Sequence, residues 1–203
     1  TRLSRGLGDV YKRQVLDELD QRKIMTCDIA HQGNDLFVIG VWQGWTLKKV
    51  FTFDKTTPDE VEQIIKDKAK QYKVPQCYIV FDSDGIGNYL RGYLKGAKSF
   101  SGAASPIKKK GEHSNYGNLR SQCYFMLASR VNGYEIYIED DTHKQQIIKE
   151  LSAITDKDVD TDGKKYISPK KLIKQQLGNS PDISDMIMMR VYADLKQKKQ
   201  ITL

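Results

Sequence analysis

The stretch KIMTCDIAHQGNDLFVIGVWQGWTLKKVFTF, residues 23–53, contains three segments with the composition of β-strands. Apolar residues dominate Lys23–Ala30 and Leu36–Trp42, and apolar and polar residues alternate through much of Leu47–Phe53. Short clusters of turn-forming residues separate the three segments. Strands joined by turns this short predict an antiparallel meander.

A helix and a fourth strand follow the meander. Thr57 is placed to cap the helix, Pro58 suits its first position, and Glu60 completes a capping box. Apolar residues then recur on one helical face as far as Tyr72. The continuous apolar run Cys77–Phe81 is typical of a strand that is buried on both faces.

The next elements complete the predicted sheet. A helix that ends near Leu94 and a strand over Lys98–Gly102 give the order β-β-β-α-β-α-β. A meander extended through helical crossovers predicts an α/β fold in which helices flank a mixed five-stranded sheet. This is the ribonuclease H-like arrangement, although other α/β folds share the order.

The rest of the chain adds further helices and a hairpin. Residues 105–117 have no hydrophobic periodicity and contain the basic run Lys108-Lys109-Lys110, so we expect a loop. A short strand is expected over Glu135–Ile138, and a hairpin that turns at Asp162-Gly163 over Asp158–Ile167. Helices are expected over Asn118–Val131, Thr142–Ile154, Pro169–Leu177 and Asp182–Leu195.

Two aspartates stand at or near the ends of apolar strands. Asp28 has apolar neighbours, and Asp82 directly follows the most hydrophobic strand. An isolated buried carboxylate is unfavourable unless it is paired or binds a cation. If the two strands are neighbours, the two carboxylates converge, and a divalent metal would relieve their repulsion. Taken singly, each aspartate is better explained as a turn residue or a helix cap, and only their combination on one mixed sheet favours a metal site.

A third carboxylate is available from the last helix. Asp182 and Asp185 are three residues apart and therefore share a face of that helix. Oxygen ligands suit hard cations such as Mg²⁺ and Mn²⁺. The alternative for Asp182 is the N-cap of the same helix.

The overall charge narrows the class of partner. The chain has 33 Lys and Arg against 26 Asp and Glu, a formal net charge of +7. Nucleic acid is the commonest partner of a basic domain, although a soluble basic domain without such a partner fits equally well. No apolar stretch is long enough to span a membrane, and no P-loop motif is present.

Four segments, in this order and spacing, resemble the nuclease domain of phage large terminase subunits. The resemblance extends from about Lys23 to Ala193 and rests on Cys27-Asp28-Ile29-Ala30, Phe81–Gly87, Asn118–Gln122 and Ser180-Pro181-Asp182-Ile183-Ser184-Asp185. The last segment is the most specific of the four. Asp84 stands where the family often has a neutral residue, and Met186 stands where it usually has Ala.

The resemblance implies a metal-dependent endonuclease that cuts double-stranded DNA during viral genome packaging. It assigns Asp28, Asp82 and Asp185 as ligands of two Mg²⁺ or Mn²⁺ ions, and Asp182 as a fourth ligand or a helix cap. The residues expected to contact DNA phosphates are Lys108, Lys109, Lys110 and Arg120. The implied partners are the small terminase subunit and the portal protein, in the host cytoplasm.

Two other functions remain open at this stage. A Holliday-junction resolvase or ribonuclease H would share the fold, although the long segment after Ser105 and the Asp182/Asp185 motif argue against both. A DNA-binding or assembly domain that has the fold without the chemistry is the third possibility.

The N-terminal segment has an unusual composition. Asp9–Gln14 resembles a translated transposase mosaic end from sequencing-library preparation, so we expect residues 1–14 to lie outside the protein proper; a genuine polar terminus is the alternative. Residues 15–203 are then expected to form the nuclease domain, with an ATPase domain encoded upstream.

Overall fold

The computed structural model describes residues 20–29, 35–54, 56–108, 115–157 and 163–196. The described strands are β1 (Lys23–Asp28), β2 (Phe37–Gln43), β3 (Thr46–Phe53), β4 (Ile79–Asp82), β5 (Lys98–Phe100), β6 (Tyr137–Ile138), β7 (Asp156–Lys157) and β8 (Tyr166–Ile167). The described α-helices are α1 (Pro58–Tyr72), α2 (Leu90–Tyr93), α3 (Leu119–Asn132), α4 (Lys144–Ala153), α5 (Lys170–Leu177) and α6 (Asp182–Leu195). The segment 1–14 lies outside the described residues.

The main sheet has the strand order β5-β4-β1-β2-β3-β6. The antiparallel meander β1-β2-β3 is confirmed, and β4 and β5 add in parallel beside β1. The predicted five-stranded mixed sheet is therefore present, and it gains a sixth strand. Residues Tyr137–Ile138, expected as a strand of unassigned position, pair in parallel with β3 at the edge of the sheet.

Side-chain alternation divides the core into two layers, one on each face of the sheet. In β1, Ile24 packs with α3, α4 and α6, whereas Met25 and Cys27 pack with α1 on the other face. In β4, Val80 belongs to the α6 layer and Phe81 to the α1 layer. Because side chains alternate with a period of two, the positions of Asp28 and Asp82 belong to the α6 face.

Helix α1 forms as its sequence predicts. The Thr57 side chain accepts a hydrogen bond from the Glu60 N–H, and the Glu60 side chain accepts one from the Thr57 N–H, with Pro58 at the first position. The following strand is shorter than expected, because Gln76–Tyr78 forms a 3-10 helix before β4 begins at Ile79. The same turn leaves Cys77 exposed, whereas Cys27 and Cys123 are buried.

Helix α6 packs on the face of the sheet to which Asp28 and Asp82 belong, and it is buried along most of its length. Gly40 of β2 permits this close approach, because a Cβ atom at that position would overlap the sulfur of Met186. Met186 is fully buried. The helix that carries Asp182 and Asp185 is therefore fixed tightly over β1 and β2.

The C-terminal elements lie on the same side of the sheet. Strands β7 and β8 pair antiparallel, so a hairpin is present, although its first strand, Asp156–Lys157, lies before the predicted range Asp158–Ile167, and residues 158–162 lie outside the described residues. Gly178, in the left-handed conformation with φ 82°, ends α5 as its position after the helix predicts. None of the helices in the described ranges has the length and apolar character that a membrane span needs.

Candidate metal centre

The predicted aspartates meet where β1 and β4 end. These two strands are parallel neighbours, and Cys27 is paired with Phe81, so the residues that follow, Asp28 and Asp82, emerge at the same level. The first turn of α6 brings Asp182 and Asp185 to the same place. All four line one pocket of about 360 Å³.

The pocket has acidic and basic walls. Strand ends and α6 supply the carboxylates, whereas α5 and the start of α3 supply the cations. Its charged lining residues are Asp28, Asp35, Asp82, Asp84, Arg120, Lys170, Lys171, Lys174, Asp182 and Asp185.

Asp185 is the most heavily contacted of the acids. Its Oδ1 accepts hydrogen bonds from Arg120 Nε at 3.1 Å, Arg120 Nη2 at 3.0 Å and the Tyr124 hydroxyl at 2.7 Å. The Nζ of Lys170 lies 2.9 Å from its Oδ2. Burial disfavours the charge, but the two cations outweigh burial and lower the pKa of Asp185 to about 2. Asp185 is therefore ionised and held in one orientation.

Asp28 and Asp82 differ from Asp185 because their pKa values are raised and not lowered. Burial, followed by repulsion from neighbouring carboxylates, raises the pKa of Asp28 well above its usual value, although Lys170 opposes the shift. Burial raises the pKa of Asp82 to about 6 against the effect of a hydrogen bond from the Asp84 N–H at 2.8 Å. A cation close to both would favour their charged forms.

Asp182 also fastens α6 to the sheet. Its Oδ2 accepts a hydrogen bond from the backbone N–H of Leu36, just before β2, at 2.8 Å. Its pKa is raised, chiefly by burial. No side-chain hydrogen bond caps α6 from Pro181, which immediately precedes it. Asp182 therefore has a structural role through one oxygen, in addition to its place in the pocket.

The loop after β4 is shaped around Asp82. A Cβ atom at Gly87 would overlap the carbonyl oxygen of Asp82, so the chain can turn back this closely only with glycine there. Gly85 has φ 64°, in the left-handed region that glycine adopts without strain. The carboxylate of Asp84 accepts a hydrogen bond from the Gly102 N–H at 3.0 Å, which ties this loop to the end of β5.

The donor set suits a hard divalent cation. Carboxylate oxygens are the ligands that Mg²⁺ and Mn²⁺ prefer, and three of these aspartates have pKa values that burial and mutual repulsion raise. Within the described ranges, no three acidic, histidine or cysteine side chains are close enough to form a complete metal-ligand set. Lys170 instead supplies a positive charge beside Asp185. The chemistry of these residues therefore fits metal binding once Lys170 leaves Oδ2 of Asp185, whose Oδ1 stays held by Arg120 and Tyr124.

Comparison with solved structures identifies the fold. The nuclease domain of the large terminase subunit of bacterial virus Sf6 superposes with a TM-score of 0.80 at 18% identity, covering 94% of this chain and 98% of that one. The large terminase nuclease of thermophilic phage G20c with bound magnesium gives a TM-score of 0.61 at 16% identity over 94% and 96% of the two chains. The fold is that of large terminase nuclease domains. No protein-family model matches the sequence, and no curated protein sequence does.

The same two domains have also been solved with other metals, and a third terminase nuclease domain resembles the chain. The Sf6 domain is described with manganese and with calcium, and the G20c domain with cobalt. The domain of Thermus phage P74-26 gives a TM-score of 0.59 at 15% identity, over 98% of each chain. At these identities the likeness establishes the ribonuclease H-like terminase fold, and the chemistry must be argued from the pocket.

The basic residues predicted to contact DNA have different positions in this terminase-type fold. Arg120 lies inside the pocket, and its side chain is 14% exposed and ion-paired with Asp185. Lys108 is exposed and is not among the residues that line the pocket. Lys109 and Lys110 lie outside the described residues.

Sequence reasoning missed the cations on α5. Lys170 and Lys171 occupy the first turn of that helix, where the helix dipole disfavours positive charge, so their position was a usable signal. Lys174, one turn later, lines the pocket and lies 2.6 Å from Asp35. Tyr124 gave no comparable signal, because a tyrosine in an amphipathic helix is usually a core residue.

Proposed function

We propose that this chain is a metal-dependent endonuclease that cleaves double-stranded DNA during viral genome packaging. One observation carries the proposal: four aspartates from three separate elements line a single pocket at the carboxyl ends of two parallel strands. The terminase fold supports it, because the same fold has been solved with manganese and magnesium in other phages.

Asp28, Asp82 and Asp185 would hold two divalent ions, and Asp182 would contribute through the oxygen that does not bind Leu36. When bound, the ions supply Lewis-acid stabilisation of the scissile phosphate and lower the pKa of the attacking water. Arg120 and Tyr124 orient Asp185 by holding its Oδ1, which leaves Oδ2 to face the pocket. Lys170 supplies positive charge at that oxygen before a metal binds.

The basic wall of the pocket is suited to the DNA backbone. Lys171 and Lys174 lie on α5 beside the aspartates, and Lys108 lies on the loop before α3. We assign to these residues, together with Lys109 and Lys110, contacts with phosphates flanking the cleaved bond. Arg120 would reach a phosphate only inside the pocket. Such contacts are independent of sequence and weaken with salt.

In this role the chain would act as a component of a packaging motor. The small terminase subunit and the portal protein are the partners that such a motor requires, and the host cytoplasm is where it would work.

The test is plasmid cleavage in Mn²⁺ by the full chain and by its Asp28→Asn and Asp82→Asn variants. Asn keeps the shape of Asp and removes the charge, and both positions already disfavour the charged form, so the fold should survive. Both variants should lose cleavage, whereas Asp59→Asn, an exposed position on α1, should cut normally. Wild-type protein that leaves the plasmid intact at every Mn²⁺ concentration would refute the proposal.

A substrate panel separates the related activities. Plasmid, a four-way junction and an RNA–DNA hybrid, incubated side by side, should show cleavage of the plasmid. Selective cleavage of the junction or the hybrid would assign the pocket to a resolvase or a ribonuclease H. Binding of DNA without any cleavage would indicate an assembly domain.

A further inference from the structure

Glu150 is a buried acid that does not line the pocket. It lies on α4 and is 1% exposed. Its Oε2 accepts a hydrogen bond from the backbone N–H of Ser184 at 2.8 Å, and its Oε1 accepts one from Gln146 Nε2 at 2.8 Å. Burial raises the pKa of Glu150 to about 7, whereas the hydrogen bonds from these two donors favour its charged form.

The hydrogen bond to Ser184 reaches the first turn of α6. The first N–H groups of a helix have no partner within the helix and require an acceptor from elsewhere. Pro181 provides no side-chain cap, so Glu150 supplies one of the missing acceptors from a different helix. A carboxylate at this end of a helix is also favoured by the helix dipole.

The same turn continues into the pocket. Ser184 stands between the two pocket acids of α6, and its hydroxyl lies 3.0 Å from that of Tyr124. The Tyr124 hydroxyl donates to Asp185 Oδ1 at 2.7 Å. Ser184 therefore connects Glu150 with Asp185 behind the site, through its backbone N–H on one side and its hydroxyl and Tyr124 on the other, and the four residues are all buried.

We propose that Glu150 is a positioning residue for the metal centre: by binding the Ser184 N–H it fixes the first turn of α6, and thereby the placement of Asp182 and Asp185. This inference rests on the proposed function, because it assigns those two aspartates to metal binding. This role requires a hydrogen-bond acceptor that extends as far from the backbone as the carboxylate of a Glu side chain.

Two conservative variants separate reach from charge. Glu150→Gln retains an acceptor of the same length and loses the charge, whereas Glu150→Asp retains the charge but is one methylene shorter. Isothermal calorimetry of the full chain with Mn²⁺ should show weaker binding by Glu150→Asp, by about 10-fold to 100-fold, as for other residues that orient metal ligands. Glu150→Gln should bind Mn²⁺ within a few-fold of wild type.

The control is Leu151→Ala, which loosens the packing of α4 without removing the contact to Ser184. It should lower the melting temperature and leave Mn²⁺ affinity unchanged. The inference is overturned if Glu150→Asp binds Mn²⁺ normally, or if Glu150→Gln is the weaker binder, which would indicate an effect of charge. Absence of Mn²⁺ binding by wild-type protein would instead count against the proposed function itself.

Discussion

The contact between Gly40 and Met186 predicts a specific pattern of stability changes. A methyl group at residue 40 would overlap the Met186 sulfur, so Gly40→Ala alone must displace either the Met186 side chain or α6 itself. Overpacking of this kind costs about 1–3 kcal/mol, partly offset by the roughly 0.5–1 kcal/mol that Ala gains over Gly in a strand. Met186→Ala alone leaves a cavity in a fully buried site and should cost about 2–5 kcal/mol.

The double variant should lose less unfolding free energy than the two single variants lose in total. With the Met186 side chain shortened, the added methyl group no longer overlaps the sulfur and fills part of the cavity, although it still lies 3.1 Å from Thr26 Oγ1. We therefore expect a favourable coupling of about 2 kcal/mol in a double-mutant cycle. Urea denaturation of the four proteins in buffer without divalent metal measures it. Effects that add to within about 0.5 kcal/mol would refute the claim that these two residues set the distance between α6 and the sheet.

Three further predictions concern the pocket. The folded-state pKa of Asp82, about 6, lies above its usual value of 3.8. In EDTA, wild type should therefore lose stability relative to Asp82→Asn as the pH rises from 4 to above 6. A difference in melting temperature between the two proteins that stays constant over this pH range would contradict the prediction. Lys170→Met should lower the Mn²⁺ concentration for half-saturation in calorimetry without DNA, because no ammonium group then competes with the metal for Asp185. A higher concentration for half-saturation would contradict the assignment of Asp185 as a metal ligand. Lys171→Ala should reduce the slope of log affinity for DNA against log salt by about 1, and an unchanged slope would remove Lys171 from the interface.

Local patterns in the sequence predict most of the fold. The strands of the meander, the capping box at Thr57 and the extent of α6 depend on neighbouring residues, and the structure confirms them. The edge strand Tyr137–Ile138 could not be placed, because two residues carry too little periodicity to name a partner. The beginning of β4 was also misplaced, because an apolar run does not distinguish a strand from the 3-10 turn that precedes it.

The acidic half of the candidate site was predictable from local patterns, including the spacing of Asp182 and Asp185 on one face of the last helix. Asp28 and Asp82 stand out as acids at the ends of buried strands, and the structure places both in the pocket. Tyr124 and Glu150 act through residues far away in the chain, so no local pattern reveals their contacts, and the position of Lys170 at the start of α5 is unusual without naming Asp185 as its partner. Arg120 was expected to contact DNA, but the partner it meets here, Asp185, is set by the packing of α3 against α6.

The central claim is that carboxylates from β1, β4 and α6 together hold divalent metal. Crystals of the full chain soaked in Mn²⁺, with data collected at a wavelength where manganese scatters anomalously, test it most directly. Anomalous peaks are expected in the pocket within coordination distance of Asp28, Asp82 and Asp185, with Lys170 displaced from Asp185. A pocket without any peak at saturating Mn²⁺, with Lys170 still bound to Asp185, would contradict it.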